Sequence, residues 1–241
     1  MTRLRSRATG RRSPVGKRRP ARQLARQRPG LRILITAGPT REYLDPVRYL
    51  SNDSSGKMGF ALAAEALLRG HRVTLVHGPV ALPPPEGADC IAITSAADLL
   101  RACRRAWPRQ DALIMAAAVA DYTPAAPART KRKKSATDLI VRLKPTPDVL
   151  ATLSAARRDR QLVVGFALED RRARARAADK LTRKNLDAIV LNRPAAIGAD
   201  RSRVEWLVRG QAWLTLPPAD KRTTARRLIR AIEALAARGH P

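Results

Sequence analysis

A hydroxyl- and glycine-rich segment is the feature of this sequence that most clearly points to chemistry. Residues 38–59 read GPTREYLDPVRYLSNDSSGKMG, and the end of this segment supplies hydroxyl groups and glycines directly before a predicted helix: Ser54, Ser55, Gly56 and Gly59. Such groups at a helix N-terminus favour binding of a phosphate. The segment is too long for the tight glycine turn of a dinucleotide fold, and Ser51 and Met58 replace residues that a Walker loop requires. The alternative is a long polar loop without a ligand.

Three further segments carry candidate binding groups. Residues 115–122 read MAAAVADY, whose small side chains would let a ligand lie against the backbone beside the acid Asp121. Residues 131–134 read KRKK, and residues 145–148 read PTPD, a strand-to-helix turn with proline at an early helical position. The alternatives without a ligand are a tightly packed central strand for residues 115–122 and a solvated charged face for residues 131–134.

The elements around these segments alternate between strands and helices. Short apolar runs predict strands at 31–37, 72–77, 91–94, 112–118, 139–143, 162–166 and 186–191, and a hairpin at 204–208 and 212–216. Helical spacing predicts helices at 60–69, 95–107, 147–157 and 170–184, and a final helix containing Leu228, Ile229, Ile232 and Leu235. The pattern predicts an α/β fold, a Rossmann-like three-layer sandwich with a mostly parallel sheet and a C-terminal β-hairpin and helix.

This topology predicts where a ligand binds. Ligands of such sheets lie beyond the carboxyl ends of the strands. The four segments follow strand ends or lie near them, so we expect them to meet at one edge of the sheet. Ser95 and Asp98 have the spacing of a capping box, and Gly70 follows the first helix as a C-terminal stop signal.

Composition limits the class of protein. The 241 residues contain 48 Lys and Arg against 20 Asp and Glu, and the hydrophobic fraction is 44%, enough for a core. No apolar run is long enough to cross a bilayer, so we expect no membrane contact and a cytoplasmic location. Two cysteines, Cys90 and Cys103, cannot form a disulfide framework, and three scattered histidines offer no metal-ligand spacing.

The first 30 residues differ from the rest. They hold 11 Lys and Arg with no acid, together with several prolines and glycines. We therefore predict two parts, a disordered Arg-rich tail at 1–30 and one folded domain at 31–241. The tail is compatible with a nucleic-acid arm, a transit peptide or an unselected leader.

Taken together, the segments resemble the phosphopantothenate–cysteine ligase family of coenzyme A biosynthesis. The matching pieces are ITAGPTREYLDPVRYLSNDSSGKMG, AAAVADY, the KRKK loop, KPTPDVL, VVGFALE and KLTRKNLDAIVLN, in the family's order between residues 31 and 198. Many bacterial members carry this domain behind a flavin-dependent decarboxylase. The short tail here implies a stand-alone ligase with no FMN.

The resemblance implies a reaction. The carboxylate of 4′-phosphopantothenate attacks the α-phosphate of CTP, pyrophosphate leaves, and an acyl-cytidylate forms. The amine of cysteine then attacks the mixed anhydride and releases CMP. This route needs no side-chain nucleophile, but it needs cationic groups and Mg²⁺ around the triphosphate. Family members are typically homodimers in which loops of one subunit approach the other's site.

The resemblance also implies residue roles. The catalytic residues are Asn52, which contacts the acyl group, and Lys131, which reaches the phosphates. The substrate loop contains Asn52, Ser54, Ser55, Gly56 and Met58. The nucleotide is bound by Met115, Ala116, Ala117, Asp121, Lys131, Pro147, Asp148, Val149, Leu150, Phe166, Lys180 and Lys184. The metal ligands stay unassigned. The chain departs from the family's usual pattern at four positions: Arg132, Thr146, Arg193 and Ala199.

Two other classes of protein compete with this interpretation. An NAD(P)-dependent oxidoreductase on the same fold would need a tight glycine-rich first turn, which the first segment does not supply. A basic nucleic-acid-binding protein would explain the net charge of +28, but the chain has only 3 Trp, 3 Tyr and 2 Phe for base stacking. Nucleic acid would then be contacted through the tail, alongside the ligase activity.

Overall fold

The protein is described here by a computed structural model that covers residues 30–196, 199 and 201–238. The predicted disorder of the tail at 1–30 concerns residues that lie, apart from Gly30, outside the described residues. The described part forms an α/β fold, with helices on both faces of a mostly parallel sheet. This confirms the predicted fold class.

Fourteen strands and five α-helices make up the described chain. The strands are β1 Arg32–Ala37, β2 Arg41–Tyr43, β3 Tyr49–Ser51, β4 Arg72–His77, β5 Asp89–Ala92, β6 Ala112–Met115, β7 Tyr122–Pro124, β8 Leu143–Pro145, β9 Leu162–Leu168, β10 Ala188–Asn192, β11 Arg201–Ser202, β12 Glu205–Val208, β13 Leu214–Thr215 and β14 Ala219–Asp220. The helices are α1 Lys57–Leu68, α2 Ala96–Ala106, α3 Val149–Ala155, α4 Ala173–Arg183 and α5 Lys221–Arg238.

Eight of these strands form the central sheet in the order β13-β12-β10-β9-β6-β1-β4-β5. The strands from β10 to β5 run parallel, whereas β12 and β13 are antiparallel additions at one edge. The central strands β1 and β6 are almost entirely apolar and buried, because helices cover both of their faces. All five parallel pairings bring strand carboxyl ends to the same edge, which is where the site lies.

Helices α1 and α5 cover one face of the sheet, and α2, α3 and α4 cover the other. Phe60, Leu62, Leu228 and Ile232 belong to the first core, and the second core includes residues of α2, α3 and α4: Leu99, Leu153, Ala177 and Leu181. The predicted capping box opens α2: the Asp98 N–H donates to Ser95 Oγ at 3.2 Å, and the Ser95 N–H donates to Asp98 Oδ2 at 3.0 Å. Gly70 follows α1 with φ +82°, as its predicted role as a stop residue requires.

Three two-stranded sheets stand outside the central sheet. Two of them lie in residues 41–51 and 122–145, which we together call the arm. β2 pairs with β3 and β7 pairs with β8, both antiparallel. The Ala128 N–H donates to Leu44 O at 2.8 Å, which joins the two halves of the arm. The predicted strand at 139–143 is wrong, because residues 139–142 are irregular and mostly exposed and only Leu143 enters a strand, β8.

Several predicted boundaries also shift. The strand predicted at 112–118 ends at Met115, because the chain then leaves the sheet to cross its edge. The helix predicted from Pro147 begins at Val149, since Asp148 is its N-cap. The segment 38–59 contains β2 and β3 and is therefore not a structureless loop. No helix among the described residues has both the length and the apolar character to span a membrane.

Candidate functional site

A cleft of about 770 Å³ lies over the carboxyl ends of the central strands. Its lining comes from the loop before α1, the segment after β6, the start of α3, the end of β9 and the last turns of α4. It brings together all but one of the site residues predicted from sequence: Asn52, Ser54, Ser55, Gly56, Met58, Met115, Ala116, Ala117, Asp121, Pro147, Asp148, Val149, Leu150, Phe166, Lys180 and Lys184.

The exception is Lys131, which does not line the cleft. Its side chain is exposed, and its loop is held against the turn between β2 and β3. The Arg132 N–H donates to Asp45 Oδ2 at 3.2 Å, and the Arg48 guanidinium donates to Arg132 O at 2.5 Å. Lys131 therefore belongs to the arm in a single chain, and its predicted contact with phosphates stays a prediction.

The loop before α1 is shaped by glycine. Gly56 has φ +73°, and a Cβ at this position would lie 2.9 Å from Val80 Cγ1. A Cβ at Gly59 would lie 2.4 Å from the Cβ of Ala37, because the first turn of α1 packs directly on the end of β1. No side chain caps the N-terminus of α1 and no acid lies in its first turn. The helix therefore presents its N-terminal partial charge toward the cleft.

The floor of the cleft is the segment after β6, and one threonine of β1 and one of the loop after β1 fix it. The Ala117 N–H donates to Thr36 Oγ1 at 3.1 Å, and the Ala120 N–H donates to Thr40 Oγ1 at 3.0 Å. Both threonines are buried. Since the small side chains project little, backbone and not side chains forms most of this floor, and a flat group could pack on it.

Asn52 joins the loop to the floor. Its Nδ2 donates to Val119 O at 2.9 Å, which fixes the orientation of the amide. On the far side of the floor, Thr146 Oγ1 donates to Ala120 O at 2.6 Å. Thr146 thus supports the floor from the segment before α3, and it lines the cleft. It is one of the four positions at which the chain departs from the family pattern.

Lys180 and Lys184 provide positive charge on the side of α4. Lys180 Nζ donates to Phe166 O at 2.8 Å, and Lys184 Nζ lies 2.7 Å from Asp148 Oδ2. Burial, followed by repulsion from Lys184, lowers the pKa of Lys180 below 10.5. An ammonium in this position is stabilised by an anion, so the pair favours a phosphorylated ligand.

Asp148 has two local roles at the start of α3. Its Oδ1 accepts the Ala151 N–H at 3.0 Å as an N-cap, and its carboxylate pairs with Lys184. Burial alone would raise the pKa of Asp148, but the hydrogen bonds from Lys184 and Ala151 bring that pKa below its ordinary value. The carboxylate therefore stays ionised and holds Lys184 at the mouth of the cleft.

Several lining residues were not predicted from sequence. They include Lys57, Arg183, Glu169, Asn192 and Lys221. Lys57 lies inside the quoted segment and could have been named from its position at the start of α1. Lys221 lies 164 residues further along the chain, in no recognisable motif. No local pattern indicated that the start of the last helix meets the start of the first.

The cleft contains no preformed metal cage. The described residues include no cluster of three or more His, Cys, Asp or Glu side chains that could hold a metal ion. Mg²⁺ usually keeps several waters and binds through one or two carboxylates and substrate phosphates. Asp121 and Glu169 line the cleft, so the residues present fit a Mg²⁺ ion carried by a polyphosphate.

The described lining offers neither a thiol nor an imidazole. No described residue that lines the cleft is Cys or His, and Cys103 is buried elsewhere, where burial raises its pKa to about 12. The site combines cationic groups, hydroxyls and backbone donors. Such a set can stabilise charge on a reacting phosphate, but covalent catalysis by a thiol or imidazole is not part of it.

Comparisons with known proteins give one consistent family. The family model for the C-terminal domain of DNA/pantothenate metabolism flavoproteins matches residues 29–235. The chain is 48% identical over 165 residues to the coenzyme A biosynthesis bifunctional protein CoaBC of Escherichia coli strain K12, covering 67% of this chain and 41% of that protein. It is 40% identical over 211 residues to CoaBC of Bacillus subtilis strain 168, covering 86% of this chain and 52% of that protein.

A solved structure gives the same result. The crystal structure of the C-terminal domain of CoaBC matches with a TM-score of 0.74 and 38% identity, covering 85% of this chain and 95% of that one. The chain spans about half the length of the curated relatives that it matches. These matches confirm the resemblance that the motifs indicated.

Proposed function

The chain belongs to the family of C-terminal domains of DNA/pantothenate metabolism flavoproteins, and from this premise we propose that it is a phosphopantothenate–cysteine ligase. It would join 4′-phosphopantothenate to cysteine while CTP is converted to CMP and pyrophosphate. Its relatives named above are coenzyme A biosynthesis proteins, which supports this pathway. The substrates, the nucleotide and the mechanism are our proposal.

One observation carries the proposal. The cleft combines a glycine- and serine-rich loop at a helix N-terminus with a lysine pair on α4, and its described lining contains no Cys or His. This inventory suits a reaction whose nucleophile is the substrate's own carboxylate. The protein then needs to position two anionic substrates and neutralise the charge that develops on the phosphate in flight.

In the first step, the carboxylate of 4′-phosphopantothenate attacks the α-phosphorus of CTP. The bond to the bridging oxygen breaks, pyrophosphate leaves, and an acyl-cytidylate forms. Lys180 and Lys184 hold negative charge on the polyphosphate, and Asp121 contacts the sugar or base of the nucleotide. Phe166 and the residues 147–150 complete the nucleotide pocket. Mg²⁺ bound to the polyphosphate would supply further charge neutralisation.

In the second step, the amine of cysteine attacks the acyl carbon of the mixed anhydride. The bond to the cytidylate oxygen breaks, the amide forms, and CMP carries away the negative charge. The amide of Asn52, fixed by its bond to Val119 O, would contact the acyl group. Ser54, Ser55, Gly56 and Met58 would hold the rest of the substrate.

We further propose that the protein is a homodimer in which the arm brings Lys131 to the partner's cleft. Two observations support this. Lys131 lies outside the cleft of its own chain, and the arm exposes large apolar side chains such as Tyr43, Tyr122 and Ile140. Exposed apolar surface of this kind marks a protein contact, and a second copy would cover it on both subunits at once.

Subunit mixing tests the shared site. Lys131→Ala and Asn52→Asp subunits, each inactive alone, are unfolded together, refolded and assayed. If Lys131 acts across the interface, half of the dimers contain both subunit types and one of their two sites is intact. The mixture then recovers about a quarter of the wild-type activity. Absence of recovery in a mixture shown to contain mixed dimers would assign Lys131 to its own subunit.

The activity itself is tested directly. The purified protein is incubated with 4′-phosphopantothenate, cysteine, Mg²⁺ and CTP or ATP, and pyrophosphate and amide are measured. We expect both products, and CMP when CTP is supplied. Lack of product with either nucleotide would reject the ligase proposal. Product with ATP alone would keep the reaction and change the nucleotide.

The role of Asn52 has a separate test. Asn52→Asp introduces a negative charge beside the acyl group, so we expect the attack by cysteine to slow more than the formation of the anhydride. Rapid quench with labelled CTP should then trap an acyl-cytidylate that the wild type does not accumulate. A slowed variant without any trapped intermediate would remove Asn52 from the second step.

Two parts of the proposal depend on more than the cleft. We propose activity without FMN and a cytoplasmic location, because the flavin chemistry of the family belongs to the decarboxylase half and not to this domain. Nucleic-acid binding through the basic tail stays a separate possibility. Salt-dependent binding of DNA that is lost on deleting residues 1–30 would establish it, without affecting the ligase assay.

A further inference from the structure

Two lysines that no motif indicated meet at the end of the cleft formed by α1 and α5. Lys57 is the first residue of α1, and Lys221 is the first residue of α5. Both line the cleft. The two helices pack side by side on the same face of the sheet, where Ala63 and Ile229 belong to one core. Packing between distant parts of the chain therefore brings the two lysines to the same cleft.

This pair is separate from the lysines already assigned to the nucleotide. Lys180 and Lys184 come from the end of α4, which packs on the opposite face of the sheet. The cleft thus has a cationic group on each side of the sheet edge, with the backbone floor between them. A ligand with one anionic group would need only one of these sites, whereas the proposed reaction brings two substrates that both carry phosphate.

The charges of Lys57 on α1 and Lys221 on α5 favour binding of an anion. Burial, followed by repulsion from Lys57, lowers the pKa of Lys221. Lys221 Nζ also donates to Ser202 Oγ at 3.2 Å, which directs the side chain and leaves its charge in place. The nearby Asp220 carboxylate accepts the Thr223 N–H at 2.6 Å as a cap of α5. The like charges of Lys57 and Lys221 repel each other at this end of the cleft, so a bound dianion would be a favourable partner for both.

We propose that Lys57 and Lys221 form a second phosphate-binding subsite in the cleft, which takes a terminal phosphate group. This inference rests on the proposed function and extends it. The hydroxyls of Ser54 and Ser55 and the uncapped N-terminus of α1 line the same end and supply neutral donors. Together these groups match a phosphate with two negative charges. The phosphate belongs either to the 4′-end of phosphopantothenate or to the polyphosphate of the nucleotide.

The test compares ligand binding among charge-removing variants. Lys57→Gln and Lys221→Gln each remove one ammonium of the pair, and Arg230→Gln removes one exposed charge from α5 away from the cleft. The probes are 4′-phosphopantothenate, pantothenate, CTP and pyrophosphate, with affinities measured by calorimetry. Thermal melting and circular dichroism establish that each variant is folded, and Lys221→Arg keeps the charge should Lys221→Gln fail to fold.

We expect each pair variant to weaken one class of phosphate ligand by about tenfold or more, because a charge-assisted hydrogen bond is lost. Pantothenate, which lacks the phosphate, should bind the variants and the wild type alike. Weakened binding of 4′-phosphopantothenate would identify the substrate phosphate, and weakened binding of CTP and pyrophosphate would identify the nucleotide. Arg230→Gln should stay within about twofold of wild type for all four probes.

The outcomes separate this inference from the proposed function. A wild type that forms the amide, with pair variants that bind all probes as it does, would overturn the subsite and leave the ligase intact. A wild type that binds phosphate through the pair but forms no amide would overturn the ligase alone. Failure of the wild type to bind any phosphate probe would overturn both.

Discussion

The cleft floor and the arm are built from the same chain in opposite ways. The floor segment after β6 is tied to buried threonines and rests on a fully buried sheet. The arm consists of two small paired sheets, and it carries seven of the ten exposed large hydrophobic side chains of the described residues: Tyr43, Val47, Tyr49, Tyr122, Leu139, Ile140 and Leu143. The floor is complete within one chain, whereas the arm needs a covering surface.

The difference separates a surface that its own chain fixes from one that a single chain leaves exposed. A nucleotide needs a fixed surface, because small displacements of reacting groups cost rate. A loop that enters a neighbouring site, as we propose for the arm, cannot be packed into its own core. The following predictions test this division between floor and arm, starting with the largest effect.

Lys131→Ala should give the largest effect on activity and almost none on folding. Its side chain is exposed, so the fold loses no packing, but the proposed site loses a charge that stabilises the reacting phosphates. We expect kcat to fall by about a hundredfold or more. Lys144→Ala, which removes another exposed lysine of the arm, is the matched control and should keep most activity.

Leu113→Ala and Ile140→Ser should separate floor and arm by stability. Leu113 is fully buried in β6 beneath the floor, and its truncation should lower the free energy of unfolding by about 2–5 kcal/mol. Ile140 is 91% exposed in one chain, so Ile140→Ser should leave the unfolding of the isolated subunit nearly unchanged. Urea titration and analytical ultracentrifugation measure the two effects. Equal loss of subunit stability in both variants would contradict the division.

Gly56→Ala should cost stability through backbone strain and crowding. The φ of +73° disfavours any Cβ by about 1–2 kcal/mol, and the new Cβ would also meet Val80. Gly210→Ala is the matched control, because Gly210 has φ +74° but nothing within 4 Å of the added carbon. The difference between the two thermal melts isolates the crowding. We expect weaker phosphate binding only in Gly56→Ala.

Asp45→Asn should have the smallest effect of the four. The Val47 N–H donates to Asp45 and keeps the pKa of its carboxyl well below the ordinary value. Burial alone would raise that pKa, but hydrogen bonds from Arg48 and Arg132 lower it further. The carboxylate therefore connects the turn of β2–β3 to the Lys131 loop at any pH used for assay. We expect the loss of kcat in Asp45→Asn to be smaller than the loss in Lys131→Ala, while the affinity for CTP stays unchanged. Weakened CTP binding would contradict this assignment and show that Asp45 supports the floor of the cleft.

The pH dependence of that contact has a definite sign. A carboxyl group whose pKa is lower in the folded protein stabilises the fold above its unfolded pKa, and this stability is lost as the pH falls through the folded value. Acid titration of the wild type should therefore loosen the arm only in strongly acidic solution. The Asp45→Asn variant should lack that part of the acid transition, as followed by the fluorescence of nearby tyrosines.

Several local features could be predicted because one stretch of chain contains all of their causes. The capping box of Ser95 and Asp98 needs only residues three apart, and Gly70 needs only a preceding helix. The buried strand β1 follows from a run of apolar and β-branched residues. The strand predicted at 139–143 is wrong, because an apolar run predicts burial whereas Leu139 and Ile140 are exposed in a single chain.

The candidate site divides along the same line. The contiguous segments at 52–58 and 115–121 could be placed at the sheet edge, because parallel strands bring their carboxyl ends together. Two positions could not be predicted: that of Lys131 on the arm and that of Lys221 at the same cleft as Lys57. Both depend on packing between parts of the chain more than 80 residues apart.

The sequence by itself determined the alternation of strands and helices, the family, and most of the segments that line the cleft, since each follows from residue types at short spacing. The tertiary structure alone decided which charges meet. Helices α1 and α5 pack together through apolar faces, and that packing positions two lysines that otherwise repel each other. Hydrophobic burial is strong enough to hold α1 against α5 despite the repulsion between the two lysines, and a bound anion would reduce that repulsion.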